Sequence, residues 1–218
     1  VDHRDLHSFP TRRSSDRMHD NPPGKLFLRL FIAAYFCAGF GYVISATFIV
    51  AIVNGLPGLE GKGALAFLAI GLAAAPAAFN WDLIARYTGD LNALILAAVL
   101  QIIGIVLPVA VGGLIPTLFG ALLFGGTFIG MVSLVLTMAG RYYPTRPAKM
   151  MGRMTLSYGV AQIIGPALVG WLATRLGNYS IGLYMAGAVM VVGVLLLVIL
   201  KIVEKRDAAT TLSPCLQN

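Results

Sequence analysis

The chain has 218 residues, of which 58% are hydrophobic and only 11% charged, and its mean hydropathy is +0.82. A soluble domain is about a quarter charged, and a water-soluble chain of this length cannot hide so much apolar surface, so the bilayer is the solvent that fits. The net charge of +7 does not point to nucleic acid, because the basic residues cluster at the ends of apolar runs rather than on a face interleaved with aromatics.

The chain opens with a polar leader, residues 1–25, expected to be disordered and cytoplasmic. Within it "HSFPTRRSSD" (residues 7–16) back-translates in frame to a common short-read sequencing adapter, so residues 1–16 are expected to be an assembly artefact without function. Six spanning segments follow, at about 26–53, 63–84, 91–111, 115–139, 151–173 and 181–203, each long enough to cross a hydrocarbon core of about 30 Å. All are expected to be helices, because lipid offers backbone amides no other partner. Pro76, Pro108 and Pro166 fall in or near these spans, where they read as kinks. The connections are short, no second domain is expected, and residues 207–218 read as a cytoplasmic tail.

Charge placement orients the segments. The side of the N-terminus receives Arg17, Lys25, Arg29, Arg86, Arg141, Arg146, Lys149, Arg153, Lys201, Lys205 and Arg206, and the opposite side only Lys62 and Arg175. Such asymmetry places both termini in the cytoplasm. A shift of 88 residues pairs Phe36 with Phe124, Phe40 with Phe128, Ser45 with Ser133 and Gly71 with Gly159. It lays helices one to three on helices four to six. Three is odd, so the second trio enters from the opposite side as an inverted repeat.

"GRMTLSYGVAQIIGPALVGWLATRLGNYSIGLYMAGAVMVVGVLLLVI" resembles the eleventh and twelfth helices of a major facilitator superfamily transporter, with its G-P-x-x-x-G at Gly165, Pro166 and Gly170. "LFGGTFIGMVSLVLTMAGRYYP" resembles the tenth helix, and the YbfB/YjiJ-type branch is the nearest guess. In "WDLIARYTGDLNAL", Leu83, Arg86 and Gly89 fit the family's G-x-L-A-D-R-x-G-R gating loop loosely, while Trp81 and Ala85 stand where the glycine and the acid would be. The resemblance implies an all-α fold of six transmembrane helices as a 3+3 inverted repeat, half of the usual twelve. The chain is therefore expected to be a fragment that pairs with a missing N-terminal half, or with a second copy, in a bacterial inner membrane.

Enzymatic constellations are not expected. The histidines, His3, His7 and His19, all lie in the leader, so neither a His-based triad nor an intramembrane metal site can form. The acids between Leu26 and Leu200 are Glu60, Asp82 and Asp90, all at membrane edges. No Walker-type glycine loop is present, and no metal or cofactor is expected. Cys37 in an apolar run and Cys215 in the tail are too differently placed for a disulfide.

The polar candidates in the spans are uncharged. By resemblance, helices one and four line the cavity and two and five flank it, which makes Tyr35, Tyr42, Thr127, Ser133, Thr137, Tyr158 and Gln162 candidate solute contacts. Each also has a plainer reading, a back-bond for Ser or Thr and packing for the rest. Asn80 and Gln101 are further polar positions, on helices two and three. The lack of a mid-membrane carboxylate implies that a proton-coupling group, if one exists, belongs to the other half. Secondary transport or uniport of a small organic solute is the reading that results; a six-helix scaffold without transport is the alternative.

Overall fold

The computed structural model describes residues 20, 22–55, 57–177 and 180–212, with side chains as far as Arg206. The adapter-like stretch, the three histidines and Cys215 lie outside the described residues. Among the described residues seven helices follow one another: α1 Lys25–Asn54, α2 Gly63–Ala74, α3 Ala77–Thr88, α4 Asp90–Ala110, α5 Leu114–Tyr142, α6 Pro147–Leu176 and α7 Ser180–Leu212. Five are long and apolar enough to cross a membrane, and α2 with α3 makes a sixth span bent by 48°.

The bend has a local cause. Pro76 has no amide hydrogen to give to the carbonyl four residues back, so the ladder breaks at Ala75 and restarts with Pro76 as the cap of α3. Pro108 and Pro166 remain inside unbroken helices. Helix α6 starts four residues before the span read from the sequence, with Pro147 in its first turn, where a missing amide costs nothing. Helix α7 runs on to Leu212, into the segment read as tail.

Packing follows the inverted repeat. Helix α1 lies against α6 and α7; its counterpart α5 lies against the α2–α3 span and α4; and α4 meets α7 across the pseudo-twofold. The α1–α2 contact is likewise mirrored by α5–α6.

Apolar side chains are as content in lipid as against each other, so close backbone approach decides where helices adhere. A Cβ at Gly39 would stand 2.8 Å from the Tyr158 carbonyl, tying α1 to α6; one at Gly193 would stand 2.9 Å from the Cys37 Cβ, tying α7 to α1. Gly125 meets α2, where an added Cβ would lie 2.7 Å from the Ile70 Cα. Gly104 and Gly120 face each other between α4 and α5, a Cβ on Gly120 falling 2.9 Å from the Gly104 oxygen. That oxygen is the one Pro108 cannot bond, so the proline leaves an acceptor where the neighbouring helix comes closest.

Gly125→Ala is expected to cost about 1–3 kcal/mol, because Ile70 presents backbone rather than a movable side chain. Gly170→Ala, with nothing within 4 Å of the new methyl, should stay within about 0.5 kcal/mol. Thermal unfolding of the two variants in the same detergent checks the contrast.

Candidate functional site

A groove of about 390 Å³ opens between α1, α2, α5 and α6. Tyr42, Thr47, Gln162, Phe67, Phe124 and Phe128 stand among its walls, and none of its lining residues is charged. Its helices are the first two spans of one repeat and their two counterparts in the other, so the groove lies on the repeat's internal symmetry.

Tyr42, Phe124 and Phe128 of its wall belong to an aromatic ladder contributed by three helices. The Tyr35 and Tyr158 ring centroids are 4.7 Å apart, Tyr158 and Tyr42 5.9 Å, Tyr42 and Phe128 4.8 Å, and Phe128 and Phe124 5.5 Å. Tyr35 and Tyr42, two helical turns apart on α1, thus share the face that meets Tyr158. The three phenol hydroxyls make no hydrogen bond to a described residue, yet none is sealed from solvent as the Ser45 hydroxyl and the Gln101 carbonyl oxygen are. The Tyr42 hydroxyl, on the groove wall, is free to bond a solute or water. Gln162 reaches the groove one turn beyond Tyr158, half-buried and without a partner among the described residues.

Other candidates are placed elsewhere. The Thr127 side chain is buried and its hydroxyl donates to the carbonyls of Leu123 at 2.8 Å and Phe124 at 3.1 Å, so both its bulk and its donor are used inside α5. Ser133 and Thr137 are half-buried and do not line the groove. Gly165 receives the Val43 side chain of α1, a Cβ there standing 2.9 Å away, whereas Gly170 has no such neighbour. Pro166 is half-buried next to Gly165. Asn80 is exposed.

The α3–α4 corner differs from the gating motif it resembles. Arg86 bonds Asp82 one turn back, at 2.8 Å, and both are largely exposed, so it does not reach another helix. Gly89 has φ +89°, ψ 148°, a conformation open essentially to glycine alone, and it turns α3 into α4. The link between helices comes from Asp90 on α4, which accepts from Arg141 at the end of α5 at 2.6 Å. Trp81, in the motif's glycine position, donates its indole N–H to the Gly126 carbonyl at 2.6 Å and lays its ring in the hollow at Gly130. The Asp90–Arg141 pair could have been found from the charges on the facing ends of two consecutive antiparallel spans. Phe124 and Phe128 carried a signal too, as the repeat partners of Phe36 and Phe40.

Six spans in two inverted trios enclose an uncharged, largely aromatic groove. The sequence matches the family described as "Uncharacterised MFS-type transporter YbfB" over residues 7–198, and the chain belongs to that family of multi-pass membrane proteins. The match takes in residues 7–16. Solved structures share the fold: the POT family transporter PepTSo (TM-score 0.69, 14% identity, 82% of this chain and 38% of that one) and the E. coli fucose:proton symporter FucP (0.66, 13%, 80% and 42%). A peptide transporter POT in complex with alafosfalin aligns with a TM-score of 0.70 at 18% identity, over 87% of this chain and 44% of that one. The chain thus spans less than half the length of the solved transporters it matches. No curated protein matches the sequence.

A double-mutant cycle on Asp90 and Arg141 is expected to give about 0.5–1 kcal/mol of coupling, since the pair is only partly exposed and joins two helices. The same cycle on Asp82 and Arg86, an exposed pair within one helix, should give about 0.3 kcal/mol. Unfolding midpoints of the single and double variants read both.

Proposed function

We propose that this chain is one half of a secondary transporter or uniporter that moves a small organic solute across the bacterial inner membrane, with no enzymatic step. It works by rocking against a second six-helix unit, the N-terminal half or another copy, around the groove, and both termini face the cytoplasm. The observation that carries this reading is the groove itself, with the Tyr42 phenol, the Thr47 hydroxyl and the Gln162 amide on an otherwise apolar, aromatic wall. Such a wall suits an uncharged or zwitterionic solute, which it can stack and hydrogen-bond without an ion pair. Carriers of peptides and of fucose with protons share the fold. No carboxylate lines the groove, so proton coupling, where it occurs, falls to the opposing half.

Uptake into proteoliposomes containing this chain with its completing half tests the reading. Gln162→Ala should lower uptake of the transported solute at least tenfold, because a lost polar contact to the bound solute leaves the solute's own group unpaired. Thr127→Ala should stay within about twofold, its hydroxyl being spent on its own helix. In a background lacking Cys37 and Cys215, Gln162→Cys should react with a membrane-impermeant thiol reagent. Protection of that cysteine in every condition would instead favour the scaffold reading.

A further inference from the structure

A second cavity, of about 150 Å³, lies away from the groove where the leader meets the start of α6. Arg146, Lys149 and Arg153 line it together with Tyr143, Met150 and a single carboxylate, Asp20. Lys149 and Arg153, four residues apart, share one face of α6, and Arg146 is the residue that caps its start. None of them is in an ion pair with a described residue. Like charges so spaced repel one another unless an anion lies among them.

Asp20 fills part of that role. Its carboxylate accepts from the Thr145 amide at 3.0 Å and from the Thr145 hydroxyl at 2.7 Å. These hydrogen bonds hold the carboxyl below its ordinary range, so it is ionised at neutral pH, and the contact is lost only as the solution becomes acid enough to protonate it. One carboxylate against three cations still leaves a surplus of positive charge around open space.

The same face continues toward the membrane interior as Leu156, Val160 and Ile163, all exposed. Cations at the end of a spanning helix with an exposed aliphatic stripe beneath them match the layout of a phospholipid, headgroup above and acyl chain below. We propose that this face of α6 binds an anionic phospholipid. Its phosphate sits among Arg146, Lys149 and Arg153, its chain lies along Leu156, Val160 and Ile163, and Asp20 holds the Thr145 donors until the lipid displaces it.

Native mass spectrometry of the whole chain in detergent, titrated with phosphatidylglycerol or with phosphatidylcholine of the same acyl chains, tests the site. Phosphatidylglycerol should bind at least tenfold more tightly. Replacing Arg146, Lys149 and Arg153 together by Gln should weaken it about a hundredfold, roughly a factor of five for each charge. Asp20→Asn should strengthen it severalfold by freeing the Thr145 donors. Lys201→Gln with Lys205→Gln, which removes charge from the same side of the protein, should leave binding within twofold. Leu156→Ser with Ile163→Ser keeps every cation and should still weaken retention severalfold. An unchanged melting temperature in the triple variant separates loss of the site from loss of the fold. The proposal is overturned if phosphatidylglycerol shows no preference, if the two sets of charge removals weaken it equally, or if inorganic phosphate binds as tightly as the lipid.

Discussion

Helix association without a hydrophobic drive is the constraint on which this structure rests. Where the solvent is as apolar as the side chains, helices adhere only where their backbones come close enough for dense dispersion contact and weak C–H···O bonds. Gly39, Gly104, Gly120, Gly125 and Gly193 mark such places, each where a methyl group would collide with the next helix. The contacts repeat across the pseudo-twofold: Gly39 sets α1 against α6, and Gly125 sets α5 against α2. The groove is what remains between helices whose closest approaches have been set elsewhere.

Polar groups are distributed by the same economy. Thr127 and Thr117 return their hydroxyls to their own helices, Asn54 caps the amide of Gly63 at the head of α2, and Trp81 bonds the Gly126 carbonyl. Those groups lock the fold. The phenols of Tyr35, Tyr42 and Tyr158 and the amide of Gln162 bond no described residue, and Tyr42 and Gln162 stand on the groove's wall. The polar residues left available to a ligand are those whose hydrogen bonds are not already used within the chain.

The spans could be read from the sequence because hydropathy over some twenty residues answers directly to the thickness of the bilayer. Ends were less legible, since a helix need not stop where the lipid does: α6 begins in polar chain at Pro147 and α7 continues to Leu212. Helical spacing placed Tyr35 and Tyr42 on one face and Tyr158 with Gln162 on another, and the fold brings the two faces together around Tyr158. Spacing alone could not choose between the back-bond and the solute contact for Thr127, whose hydroxyl turns back onto α5. It is equally silent on Asp90 and Arg141, 51 residues apart, which meet only once two spans are docked antiparallel. The aromatic wall fell between these cases, visible as repeat partners but not as neighbours.

The uncharged lining of the groove also bears on voltage. A unit charge carried across a membrane held at 100 mV gains or loses about 2.3 kcal/mol, enough to bias any conformational cycle that moves one. The groove-lining side chains bring no charge into that field. If the bundle rocks as proposed, moving this wall from one face of the bilayer to the other does no electrical work through its own side chains, so the membrane potential can drive the cycle only through what the wall holds or what stands opposite it.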